Sequence, residues 1–260
     1  LRWIGPQRKE TLVSFNNYVH LPYQTVHRST SYRPGNFPLG QIGVTEDGRT
    51  FRLVKNAATQ LATARVVQAP AANIAKAVVV TTYTAGIGAK QVQVTVATVT
   101  ANQYQGGFLN VEDDNGEGYL YPIVENTATD NPASGDILVT LAVGLEVAFN
   151  SATTVGLYSP YNGVVIHPSP ATTKLVGVTC GVIPASYYFW AQIRGLASVL
   201  TEGTVVINEG VVDSATADGA VAPSVLTEAT PNTGYGQNFV GIVATVGVTT
   251  EQGIIDLALG

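Results

Sequence analysis

From residue 73 to the C-terminus, short β-branched or aromatic runs alternate with clusters of Gly, Asn, Asp and Pro. This punctuation constrains the fold more than any other feature, because it leaves no room for a long amphipathic helix. Residues 78–82, 92–99, 108–111, 119–124, 137–141, 155–158, 164–166 and 175–183 read as strands. The series resumes at 204–207, 210–212, 219–222, 239–244 and 254–259. Strands put alternate side chains on opposite faces, so Val92, Val94 and Val96 share one. Short strands at such spacing predict an all-β body, a compact β-barrel or sandwich. A few short helical turns are expected, at the Ala-rich stretch 55–65 and around 142–149.

The densest aromatic run lies at 187–200. Tyr188, Trp190, Gln192 and Arg194 fall on one face, and Tyr187, Phe189, Ala191 and Ile193 on the other. Both faces begin with large apolar groups, so the strand is expected between two layers, with Tyr188, Phe189, Trp190 and Ile193 as structural core. Gly195 permits a turn or bulge before 196–200, and the run is read as the central hairpin of the body. Asp47-Gly48, between 40–46 and 49–54, is a favoured turn dipeptide and predicts another hairpin. Residues 41–260 form the body, with a break into two subdomains expected near 150–172.

Residues 1–40 read differently. Pro6, Pro22, Pro34 and Pro38 interrupt scattered aromatics, which suits an extended N-terminal arm that orders against a partner. The alternative is a segment that wraps its own body. Charge points to the partner: residues 1–65 carry +6, the remainder −11, and the chain −5. A basic arm on an acidic body suits an acidic surface. The candidate contacts are Trp3, Arg8, Lys9, Phe15, Tyr18, Tyr23, Arg28 and Arg33. Charged residues make up only 12 %, against about 25 % in ordinary chains, as expected of a surface covered by something else. Nucleic acid is not the expected partner, because the basic groups form no run and the chain is acidic overall.

The motifs argue against catalysis. The acidic loop 112–117 resembles a calcium loop, but its spacing does not match the twelve-residue pattern. Asn115-Gly116 reads as an ordinary turn. His20, His27 and His167 lack a carboxylate spaced to make a zinc site. No Gly-x-Ser-x-Gly elbow supports a Ser-His-Asp triad, and nothing selects a carboxylate pair for glycoside hydrolysis. Gly86-Ile87-Gly88-Ala89 lacks the Lys of a phosphate loop. Cys180, the single cysteine, is expected as a small buried hydrophobe in a strand. No catalytic residue, metal site or cofactor is therefore assigned. No apolar run reaches the length of a membrane span, so no membrane contact is expected. No signal peptide is read either, and an opening Leu in a chain without Met suggests a start that was processed or not included.

Several runs together resemble a known family. They are 187–200, followed by Gly203, Gly219 and Val240-Gly241-Ile242-Val243; Gly106-Gly107-Phe108-Leu109 with 116–123; Pro160-Tyr161-Asn162-Gly163-Val164-Val165; and Asp47-Gly48-Arg49-Thr50-Phe51-Arg52. This pattern, spread over 40–260, resembles the capsid decoration, or cement, proteins of tailed bacteriophages. The resemblance implies a virion protein on the outer surface of the phage head. Its partner would be the major capsid protein, whose subunits it bridges, as a homo-trimer or other homo-oligomer and without catalytic residues. The rival expectations are a tail or head-fibre protein and a carbohydrate-binding β protein.

Overall fold

The computed structural model describes residues 18–81, 85–129, 135–224, 238–247 and 251–260. It is almost entirely β, and no helix reaches seven residues. In chain order the strands are β1 Tyr18–His20, β2 Ser29–Thr30, β3 Ile42–Val44, β4 Thr50–Asn56, β5 Val66–Gln68 and β6 Ile74–Val79. Then come β7 Gln91–Thr95, β8 Phe108–Asp113, β9 Leu120–Asn126, β10 Asp136–Leu141, β11 Thr154–Tyr158 and β12 Asn162–Ile166. The last are β13 Leu175–Val178, β14 Tyr188–Leu200, β15 Gly210–Asp213, β16 Val221–Pro223, β17 Phe239–Thr245 and β18 Gln252–Ala258.

Strands β4, β12, β5, β13 and β14 pair in that order, and β14 pairs back onto β4, closing a five-stranded barrel. Closure removes free sheet edges from this part of the molecule. Val54, Val164, Val67, Val176 and Phe189, one from each barrel strand, belong to a single buried cluster. β18, β17, β15 and β16 continue the sheet from β14 over a second cluster that includes Val199, Val211, Val240 and Ile255. The other sheet runs β6-β11-β8-β9-β10-β7 and comes entirely from residues 74–158, between barrel strands β5 and β12. It curls until its outer strands meet at a Val80–Val94 bridge, around its own core of Tyr104, Leu109, Tyr121, Ile137 and Phe149 among others.

Side-chain amides stitch this sheet to the barrel. Asn73 Nδ2 donates to the carbonyls of Asn162 (2.6 Å) and Gln103 (3.1 Å). Asn162 Nδ2 donates to those of Asn102 (2.7 Å) and Gln103 (3.1 Å), and Gln103 Nε2 to that of Ala72 (3.0 Å).

The first half of the aromatic run, 188–193, sits between layers, while Arg194, Leu196 and Ser198 are exposed. Phe189 and Ala191 point into the barrel, while Trp190 joins Leu21, Val26, Phe51 and Leu53 on the outside of the wall. Ile193 reaches the C-terminal cluster, and Tyr188 is partly buried against the Trp190 group. The expected hairpin is absent: β14 is one strand of 13 residues. Its first half pairs with β4 and its second with β18, and a bulge between Gln192 and Arg194 turns it from one to the other. Gly195 takes the bend at φ +79°, a region open to glycine. The buried Gln192 side chain holds it, donating to the carbonyls of Arg194, Gly195 and Leu196 at 3.2, 3.2 and 2.9 Å. The strand can therefore bend without reversing.

Neither stretch expected to form helical turns does so. Asn56 Nδ2 pins the 55–65 loop to the carbonyls of Thr59 (2.8 Å), Ile183 (3.3 Å) and Pro184 (2.8 Å), and Leu61 bridges to Ile183. Around 142–149 the backbone pairs outward, Leu145 N with Ala89 O and Phe149 N with Ala85 O, both at 2.9 Å. The Asp47-Gly48 hairpin is present between β3 and β4.

Candidate interaction surface

Residues 18–40 lie on the barrel wall. β1 runs parallel to β3, with Tyr18 opposite Ile42, and β2 pairs with the start of β14. Between them Leu21 and Val26 are each 3 % exposed and pack under Trp190, and Leu39 is buried further on. Phe37 meets the Trp190 ring edge-on, centroids 6.4 Å apart. This part of the expected arm wraps its own body, because its alternate apolar residues have a wall to cover. Trp3, Arg8, Lys9 and Phe15 lie outside the described residues.

Burying Leu21 and Val26 turns other side chains outward. Tyr18, Tyr23 and Tyr32 are 59, 46 and 70 % exposed. Arg28 is exposed and Arg33 half-buried, and neither has a carboxylate partner among the described residues. Tyr32 carries no signal that the sequence reading used; proline spacing and aromatic content single out no tyrosine over another.

The one ion pair among the described residues sits at the margin of this face, Arg49 Nε to Asp47 Oδ2 at 2.7 Å. The Asp47 carboxyl is held well below the usual carboxylate range, first by the Thr45 hydroxyl at 2.5 Å and then by Arg49. Arg49 also lies 5.4 Å from the Tyr23 ring centroid, within cation–π range. Desolvation, and then Asp47, raise the Tyr23 hydroxyl above its ordinary value. These contacts fix the Tyr23 end of the face.

A groove of about 740 Å³ continues the surface toward the second sheet. Arg33, Leu39, Ile42, Phe108, Pro122 and Tyr161 line it. Arg52 stacks on the Tyr161 ring at 4.9 Å. The β1–β3 pairing sets Tyr18 opposite Ile42, one of the residues lining this groove.

The other sequence candidates are scattered. His20 and His27 are exposed, and the His27 ring bonds the Cys180 carbonyl at 3.0 Å. His167 is fully buried, its ring nitrogens 2.7 Å from the Pro168 carbonyl and 3.0 Å from that of Ala220. In the acidic hairpin, Glu112 accepts from Ala77 N at 2.6 Å and Asp113 from Asp114 N at 2.9 Å, so the carboxylates serve separate backbone donors. Among the described residues no group of three His, Cys, Asp or Glu is placed to hold a metal, and no helix is long and apolar enough to cross a membrane. Cys180 lies in a bend just past β13, not in a strand, half-buried against the Trp190 group. Desolvation pushes its thiol up to about 11.

The arrangement offers exposed aromatics, guanidinium groups with no carboxylate partner among the described residues, and an apolar groove on a β scaffold. That chemistry suits the docking of a protein surface. No protein-family model, curated protein or solved structure matches the chain.

Proposed function

We propose that this chain is a structural virion protein that binds the outer surface of an icosahedral phage head and stabilises it by bridging major capsid protein subunits. The observation that carries the reading is the outward layer of Tyr18, Tyr23, Tyr32, Arg28 and Arg33, held on a charge-poor all-β body. Tyr and Arg dominate binding hot spots because they combine large contact area with fixed hydrogen-bond geometry. Among the described residues Arg28 and Arg33 have no carboxylate to give up when they meet an acidic partner. The residues before Tyr18 carry Trp3, Arg8, Lys9 and Phe15, which extend the same chemistry along the chain. Many copies on a symmetric shell, as trimers or other homo-oligomers, multiply modest contacts into avidity. Two folded β bodies joined by an amide network make a stiff strut, as a clip against outward pressure requires.

The test is co-sedimentation with heads purified from the phage that encodes the chain and stripped of bound outer proteins. The wild-type chain pellets with the heads. Arg28→Glu with Arg33→Glu weakens binding at least about tenfold and more steeply at low salt, where charge is least screened. Deleting residues 1–17 weakens binding while the far-ultraviolet circular dichroism stays that of a folded β protein. Wild-type chain left in the supernatant, or variants bound at full occupancy, would overturn the reading.

A further inference from the structure

A second cleft, of about 480 Å³, opens where the amide stitch joins the two bodies. Its walls differ in kind from the apolar groove. We propose that it binds a short, neutral oligosaccharide.

Three buried amides, Asn56, Asn73 and Asn162, line this cleft. Asn73 and Asn162 are 6 and 9 % exposed and line the cleft. Each uses its Nδ2 on two backbone carbonyls, which fixes the amide plane and leaves Oδ1 with no donor among the described residues. Asn56, 2 % exposed, lines the same cleft. Its Nδ2 is held by three carbonyls, and its Oδ1 is buried with no hydrogen-bond partner. A buried acceptor without a donor is costly in a native protein and rarely lacks an explanation. Asn73 and Asn162 thus present preset acceptors on the wall, with the buried Asn56 amide behind them, and the natural complement is a ligand rich in donors.

The remaining lining narrows the class. No carboxylate borders the cleft, and Lys55 is its only charged residue, so neither a metal ion nor a cationic ligand is favoured. A phosphate or carboxylate would set its own acceptors against the Asn oxygens. Hydroxyl groups donate to them without a charge to desolvate. Tyr188 supplies an aromatic surface for the C–H face of a pyranose, with Lys55 Nζ 5.5 Å from the ring centroid as a mobile donor. The volume is ordinary for a small-ligand site.

This site uses none of the residues proposed for head binding, so either reading can fail alone. The test is titration of the isotope-labelled full chain with maltotriose, cellotriose, lactose and N,N′-diacetylchitobiose, followed by amide chemical shifts. At least one sugar is expected to move the signals of Lys55, Asn102, Gly163 and Ser186 together, with saturation. Ala101→Trp, an exposed position on the cleft wall, then abolishes the shifts without disturbing the fold. Tyr188→Phe, which keeps the ring, retains binding within a few-fold, whereas Tyr188→Ala weakens it at least about tenfold. Sugars that leave the cleft signals unmoved, shifts confined to other surfaces, or unchanged binding by Ala101→Trp would each overturn the proposal.

Discussion

Replacing Trp190 with Ala removes the side chain that joins the barrel wall to the N-terminal segment. The indole is 3 % exposed and packs with Leu21, Val26, Phe51 and Leu53, with Phe37 at its edge. Truncating a buried Trp costs about 3–5 kcal/mol, through lost transfer energy and the cavity left behind. The upper half of that range is expected, because the edge-on Phe37 contact, about 0.5–1.5 kcal/mol by itself, is lost too. For a chain of this size each kcal/mol lowers Tm by roughly 2–4 °C. Three of the ring's partners, Leu21, Val26 and Phe37, come from residues 18–40, so the loss is local as well as global. Urea unfolding followed by circular dichroism reads the first effect as a lower midpoint at unchanged slope. Limited trypsin digestion reads the second as faster cleavage after Arg28, which precedes Ser29, whereas Arg33 precedes Pro34 and is not a trypsin site. A stability change below about 0.5 kcal/mol, the size of an ordinary surface substitution, would refute the packing argument. Unchanged cleavage at Arg28 would refute the claim that Trp190 anchors the segment.

Other consequences follow from the same geometry. A Cβ on Gly43 would lie 2.5 Å from Leu21 Cδ1 and 3.0 Å from the Trp190 ring, so Gly43→Ala is expected to cost about 1–3 kcal/mol in urea melts; a neutral result would mean that the layer can shift. Asp47 has a folded-state value below its unfolded one, so its stabilising contribution is present above the unfolded value and lost as pH falls through the window below it. Asp47→Asn should therefore flatten the stability–pH curve below about pH 4, and parallel curves for variant and wild type would contradict that. With its thiol pushed up to about 11, Cys180 should react with an aromatic disulfide reagent at pH 8 far more slowly in the native chain than in urea; equal rates would place the sulfur in open solvent.

The parts of the fold set by neighbours in sequence were readable from sequence. Asp47-Gly48 specifies its hairpin through turn chemistry, and the Tyr188-to-Ile193 alternation places Phe189 and Trp190 on opposite sides of a wall. What local pattern does not encode is which strands meet. The pairing of β4 with β14 and β12, distant in sequence, closes the barrel, and no periodicity announces it. The Ala-rich 55–65 stretch shows the same limit: its helical propensity yields to the long-range bonds of Asn56 and Leu61 with Ile183. Proline spacing marked residues 1–40 as non-helical, yet it does not distinguish a free arm from a strap. The burial of Leu21 and Val26 decides that for residues 18–40. Tyr18, Tyr23, Arg28 and Arg33 were legible as aromatic and basic groups in a basic segment. The amides of Asn56, Asn73 and Asn162 were not, since only the fold brings them to one cleft.

The proposed role rests on one position for the protein, the outside of a phage head. Cryo-electron microscopy of intact phage particles that carry the chain tests it directly. Density for the barrel and its inserted sheet is expected on the outer face of the shell, with residues 18–40 turned toward the joints between major capsid protein subunits. Density for the chain in the tail or in a head fibre, or a shell whose outer face lacks it, would contradict the account.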